Sequence, residues 1–277
     1  MKALILLFTF ALSLSADISN LVISKDLNYL KRFPDIKRNF NNLKGLNVSL
    51  IGFKEGRYNW RMFLVTNPKA PQGPFWFLPH DNENSAFNSA VYAVKKYGGG
   101  FLAVYSGGKR YNQGQDPNRN FSLSPTKERS CKMQNAPSPI YTSTVMSIIE
   151  QYKASNMPYL ALHNNTNKGG ISILKDSSST KSFSPYSKSE ILKAKGLADE
   201  DNLIYIAGTS PTPPKAKIDA LLNKGLNVKY EIVNNSNNDC SMSNFIILNR
   251  GSNYYNIEAQ HGKTNIQKEM INRLLTY

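Results

Sequence analysis

Residues 73–106 read GPFWFLPHDNENSAFNSAVYAVKKYGGGFLAVYS, and they set out a strand, a helix and a second strand in that order. GPFWFLPH is apolar and aromatic until Pro79 breaks it, as a strand that ends there would be. SAFNSAVYAVKKY carries its apolar residues at helical spacing, with Ser85 near its start in the place of a cap. GGGFLAVYS returns to the strand pattern. Between the first strand and the helix lie His80 and Glu83, in a chain with only three histidines. Their spacing lets a turn or one helical turn aim both side chains at one point. The pair reads either as half of a metal site or as a polar turn at the end of a strand.

The same alternation continues outward. Residues 17–45 look helical and polar, and DLNYLKRF is the clearest piece. LNVSLIGF and RMFLVTN are strands. Residues 138–155 read as a long helix, and PYLALH as a strand that ends on His163. NLIYIAG, NVKYEIV, NFIILN and YYNIEAQ read as further strands, PKAKIDALLNKG as a helix between them, and TNIQKEMINRLLT as the last helix. Strands alternating with helices argue for an α/β domain with helices on both faces of a sheet. About eight strands are expected, and neighbours with no helix between them at both ends of the chain make the sheet mixed. The serine-rich KDSSSTKSFSPYSKSE reads as an exposed loop, placed over a site. No repeat and no linker divides the chain, so residues 17–277 are expected to form one domain.

The first residues, MKALILLFTFALSLSADIS, combine Lys2 with an apolar run too short to span a bilayer and a close of small residues. This is the pattern of a secretory signal over residues 1–16. The expected location is therefore outside the cytoplasm, periplasmic or secreted, with no stable membrane insertion. Two cysteines, Cys131 and Cys240, are compatible with one disulfide in such a compartment or with two buried thiols. The formal net charge is +15, but the lysines are scattered and no nucleic-acid motif is present. The charge reads as attraction to an anionic envelope or substrate, and a monomer is expected.

Three other pieces carry chemistry. His163 puts a second histidine at a strand end, where an α/β sheet gathers its ligands, and two histidines with one carboxylate make a zinc site with a fourth position open to water. In GQDPNRNF, Asp116 and Pro117 form a turn ahead of Asn118 and Arg119. The guanidinium matches a carboxylate and the amide adds a donor, although a surface turn with a salt bridge would look the same. In YYNIEAQHG, Glu258 lies in an otherwise apolar and aromatic strand. An unpaired carboxylate there costs several kcal/mol, so it has an ionic partner or a task such as a general base. His261 is either a further partner or part of the turn with Gly262, and Asp81 is a candidate support for the metal residues.

In this order, His-x-x-Glu, Asp-Pro-Asn-Arg-Asn, a strand ending in His and a late Glu, the chain resembles the zinc carboxypeptidase family over roughly residues 45 to 277. DPNRNF is the most specific element. The resemblance implies a three-layer α/β/α domain with a central mixed sheet of eight strands. It implies one zinc ion on His80, Glu83 and His163, and Asn118 and Arg119 on the free carboxylate of a peptide. Glu258 would be the base, and Arg110 the group that polarises the scissile carbonyl, at a shorter spacing than in digestive members. The mobile tyrosine of the family has no clear counterpart in VNNSNNDCSMSN. The expected activity is a zinc-dependent carboxypeptidase, acting on peptides such as peptidoglycan stem peptides. The rival readings are an N-acyl amino acid deacylase of the desuccinylase and aspartoacylase type, and an inactive protein that binds peptide ends.

Overall fold

The computed structural model describes residues 18–131, 133–167, 171–174, 182–187 and 196–276. The expected signal segment, residues 1–16, lies outside the described residues. One ten-stranded sheet, β1 to β10, runs through the molecule in the order β1-β2-β3-β5-β4-β6-β10-β8-β9-β7. The opening stretch supplies its centre: β4 (Phe75–Leu78), helix α3 (Asn84–Tyr97) and β5 (Gly100–Val104). β4 lies parallel to β5 on one side and to β6 (Tyr159–Asn165) on the other, and β6 lies parallel to β10 (Tyr254–Gln260). Strands in the middle of such a sheet are covered on both faces, so their sequences are apolar without alternation. All residues of β4, β5 and β6 are buried.

β1 (Val22–Ser24), β2 (Asn47–Glu55) and β3 (Tyr58–Thr66) follow on the β5 side of this centre. β8 (Leu203–Gly208), β9 (Asn227–Ile232) and β7 (Ser182–Tyr186) follow on the β10 side. The flanking strands pair antiparallel with their neighbours except β8 and β9, which lie parallel to each other. The expected mixed sheet with helices on both faces is what forms. One core lies between the sheet and α2 (Pro34–Leu43), α3, α5 (Lys215–Asn223) and α7 (Thr264–Leu275). The other lies between the opposite face and α4 (Pro139–Tyr152) and α6 (Met242–Arg250).

The strand count rises to ten because two short edge strands join. Val22–Ser24 pairs with β2 inside the segment expected to be helical; the helices there are a 3₁₀ turn (Ile18–Leu21), α1 (Leu27–Leu30) and α2. Ser182–Tyr186 pairs with β9, so this part of the serine-rich segment is an edge strand and not a loop; residues 175–181 and 188–190 lie outside the described residues. One expected strand, NFIILN, is helical and forms the middle of α6. Ser241 caps that helix by accepting from Asn244 N, Gly251 ends it in the left-handed conformation, and Met242, Phe245 and Ile246 bury the face that their i, i+3, i+4 spacing makes. Ser85 is not a cap either; its Oγ accepts from Gly262 N (3.0 Å), which fastens α3 to the turn after β10. Cys131 and Cys240 form a disulfide with Cα atoms 5.2 Å apart, a bond that persists in oxidising compartments. Among the described residues no helix is long and apolar enough to cross a membrane.

Helix α2 is tied to the turn after β4 through a pair of carboxyl groups. Asp35, buried, is hydrogen-bonded to Asp81, while Arg38 contacts Asp35 and reaches Asn84 Oδ1. Burial first and the Asp81 charge second push the Asp35 carboxyl from 3.8 up to about 7, although Arg38 pulls it down. The folded state therefore holds this proton more tightly than the unfolded chain. That contribution to stability is complete below 3.8 and is lost as pH rises towards about 7. Asp35→Asn, which keeps a donor and cannot ionise, is expected to stabilise the protein by about 2 to 3 kcal/mol more at pH 8 than at pH 5. Thermal melts of metal-free protein at the two pH values measure this, and an equal shift at both would remove the proton from the account.

Candidate metal centre

The carboxyl ends of β4, β5, β6 and β10 lie along one edge of the sheet, because these four strands run the same way. After β4 the chain turns tightly, with Glu83 N donating to His80 O (3.2 Å). The turn folds the two side chains onto each other, and His80 Nδ1 lies 2.8 Å from Glu83 Oε1. β6 brings the third residue: His163 Nδ1 lies 3.3 Å from Glu83 Oε2, and the two imidazole centroids are 4.9 Å apart. Asn164 of β6 also holds the turn, since its backbone N donates to Glu83 Oε2 (2.9 Å) and its side-chain Oδ1 accepts from Ala86 N (2.9 Å). His80, Glu83 and His163 are all buried, and one donor atom from each lies within 4.8 Å of the others.

This set fits a zinc ion. Two imidazole nitrogens and one carboxylate are the donors that a catalytic zinc takes, and they leave a fourth position open. The far side of His80 is also dressed as a ligand's would be, because its Nε2 lies 3.0 Å from Asp116 Oδ1. A carboxylate in that place fixes the tautomer, so that Nδ1 presents its lone pair to the ion, and raises its basicity. His163 Nε2 is buried without a hydrogen-bond partner.

The site is strongly charged for a buried place. Burial would raise the Glu83 carboxyl, but the two histidines overcome it and hold the group well below the usual carboxylate range. Burial opposes Asp116 in the same way, and His80, Arg119 and Arg110 win, so Asp116 also stays ionised. His80 moves up, since the carboxylates of Glu83 and Asp116 outweigh its burial. Glu258 behaves differently. It lies on β10, directly in register with His163 on β6, and is 2 % exposed. Its Oε1 accepts from Asn256 Nδ2 (2.8 Å). Burial pushes its carboxyl up, Glu83 adds to that, and His163 only partly offsets it. A carboxylate so raised takes a proton more readily near neutral pH than an ordinary glutamate does.

Arg110 reaches back over the centre, with Nη1 at 3.3 Å from Glu83 Oε1 and Nη2 at 3.5 Å from Asp116 Oδ2. Asn118 and Arg119 follow on a short 3₁₀ turn, Pro117–Arg119, that Asp116 caps. Asn118 Oδ1 accepts from Met242 N (3.1 Å), which leaves Nδ2 as the donor a ligand would meet. Arg119 donates to Asn118 O (2.8 Å) and pairs through Nε with Asp239 Oδ2 (3.2 Å). The structure thus gathers His80, Glu83, His163, Glu258 and Arg110 at one point, and places Asn118 and Arg119 beside it on the loop that carries Asp116.

Sequence reading missed Asp116, taken only as part of a turn, and Asn256 and Asp239. The support expected of Asp81 belongs to Asp116 instead: Asp81 Oδ2 accepts from Ser106 N (2.8 Å) and Gly108 N (2.6 Å), anchoring the turn to the loop after β5. His261 is exposed in the turn after β10 and is not part of the centre. Asp116→Asn, which keeps the shape and loses the charge behind His80, is expected to weaken zinc binding about 10- to 100-fold. Competition against a chromophoric chelator reads that loss, and unchanged affinity would show that Asp116 does not act through His80.

No protein-family model and no curated protein matches the sequence. Among solved structures, the chain is similar to a candidate metallopeptidase from Shewanella denitrificans, with a TM-score of 0.49, 12% identity and coverage of 91% of this chain and 90% of that one. A candidate metallopeptidase from Shewanella amazonensis gives a TM-score of 0.47, 12% identity and coverage of 90% and 92%. A succinylglutamate desuccinylase/aspartoacylase from Rhodobacter sphaeroides gives 0.43 and 13%, over 83% of this chain and 64% of that one. At such low identity these are likenesses of shape, and the chemistry rests on the side chains of this chain.

Proposed function

We propose that the protein is a zinc-dependent carboxypeptidase with one ion on His80 Nδ1, Glu83 and His163 Nδ1. Its substrates would be short peptides with a free C-terminal carboxylate, with peptidoglycan stem peptides as the favoured class. The observation that carries this reading is the convergence of both Nδ1 atoms on Glu83, with the buried Glu258 in register with His163. Zinc bound there would lower the pKa of its water and polarise the scissile carbonyl.

The residues of the chain do the rest. Glu258, with its raised carboxyl, accepts a proton from the attacking water and is then the acid that hands it to the leaving amine. Arg110 stands close enough to Glu83 to move onto an oxyanion formed at the centre. Arg119 and Asn118 read the terminal carboxylate and so set the cut next to the chain end. The signal-like pattern of residues 1–16 and the formal charge of +15 support an anionic, extracytoplasmic substrate.

The test is product analysis by mass. The zinc-loaded protein is offered a mixture of stem peptides and, separately, an N-acyl amino acid. Release of the C-terminal residue from the peptides supports the reading. Hydrolysis of the N-acyl amino acid alone would replace it with a deacylase, and zinc binding without turnover of either would leave a protein that binds peptide ends.

A further inference from the structure

Helix α4 holds the backbone around Arg119, since Tyr141 Oη donates to Pro117 O (2.9 Å) and Thr142 Oγ1 donates to Asn120 O (2.8 Å), but the guanidinium takes its carboxylate partner, Asp239, from another segment. That carboxylate lies in the turn before α6. Three contacts join the two segments: Met242 N donates to Asn118 Oδ1 (3.1 Å), Asp239 Oδ2 lies 3.2 Å from Arg119 Nε, and Phe121 N donates to Cys240 O (2.9 Å). At the centre of that turn Cys240 has φ +57, a left-handed conformation that disfavours a side chain. The turn has weak local reasons to hold this shape, namely the Asn238 side chain accepting from Cys240 N (2.9 Å) and Asp239 accepting from Ser241 N (3.0 Å). The covalent link is the bond from Cys240 to Cys131, both fully buried and 109 residues apart in sequence.

We infer that the Cys131–Cys240 disulfide is a positioning element for substrate binding: by holding the 238–242 turn it orients Arg119 and Asn118 towards the terminal carboxylate. This rests on the carboxypeptidase reading above. The metal residues and Glu258 lie on the strand ends and on the turn after β4, which the bond does not touch. Opening it should therefore change recognition and leave the chemistry in place.

The pair Cys131→Ala with Cys240→Ala is compared with the wild type on a stem peptide and on the same peptide amidated at its C-terminus. KM for the free acid is expected to rise about tenfold, with kcat within twofold and one zinc per chain. The preference for acid over amide is expected to shrink by the same factor, which a loss of stability alone would not produce. If the alanine pair does not fold, Cys131→Ala with Cys240→Gly carries the same test, since glycine takes a positive φ freely. Wild-type KM and wild-type preference in the measured pair overturn the inference. Loss of zinc together with kcat, or failure of both pairs to fold, assigns the bond to stability alone and overturns it too. An inactive wild type would sink the carboxypeptidase reading and this inference with it, whereas an active wild type with unchanged KM in the variant sinks this inference only.

Discussion

Replacing Glu258 by glutamine is expected to lower kcat by about 10²- to 10⁴-fold, the range for removal of a positioned general base, and to leave zinc bound. The two side chains have the same shape, and glutamine Oε1 can still accept from Asn256 Nδ2. Glu258 is also outside the group of three donors that converge within 4.8 Å, so the ion keeps its ligands. What disappears is the capacity to take a proton. Burial holds the carboxyl of Glu258 above the usual range, and the ionised form is the base. Activity of the wild type should therefore rise with pH through that raised value, and this acid limb should vanish from the residual activity of Glu258→Gln. Two measurements decide it: kcat/KM against pH, and zinc per chain by atomic absorption. A variant that stays active names another base, and a variant that loses zinc makes Glu258 a ligand.

The sequence carried the layout of this site better than its connections. The central strands were legible because strands covered on both faces are apolar throughout, and β4, β5 and β6 are buried at every position. α6 was misread because a short apolar run does not reveal its period. Its helical nature depends on the Ser241 cap, the Gly251 stop and a core that accepts Phe245 and Ile246 from one side. The edge strands β1 and β7 are set by pairing with distant partners, which composition does not record. Within the site, the residue types and their order pointed to His80, Glu83, His163 and Glu258. That His163 and Glu258 stand side by side follows from the β6–β10 register, a contact across nearly a hundred residues that no spacing in the sequence encodes. Asp116 was hidden for the same reason, since its turn lies against His80 only once the loop after β5 has folded over the centre.

Glu83→Gln is expected to have the largest effect on the metal, on the order of a 10³-fold loss of zinc affinity or more, because it neutralises one of three ligands. Glu83 is the point on which the whole centre converges: both Nδ1 atoms, Arg110 Nη1 and the backbone N–H of Asn164 lie within 3.3 Å of its oxygens. The loss has a readout that needs no substrate. Zinc at about 100 times its Kd stabilises a protein that binds it only when folded by about 2.7 kcal/mol. The wild type should therefore melt several degrees higher with zinc than after chelation, and Glu83→Gln should show no such shift at the same zinc concentration. Glu258→Gln should keep the full shift and Asp116→Asn part of it, so the three variants form a graded series. A full shift in Glu83→Gln would place the ion elsewhere. Loss of the shift in Glu258→Gln would merge base and ligand, and the division of labour proposed for this centre would fail.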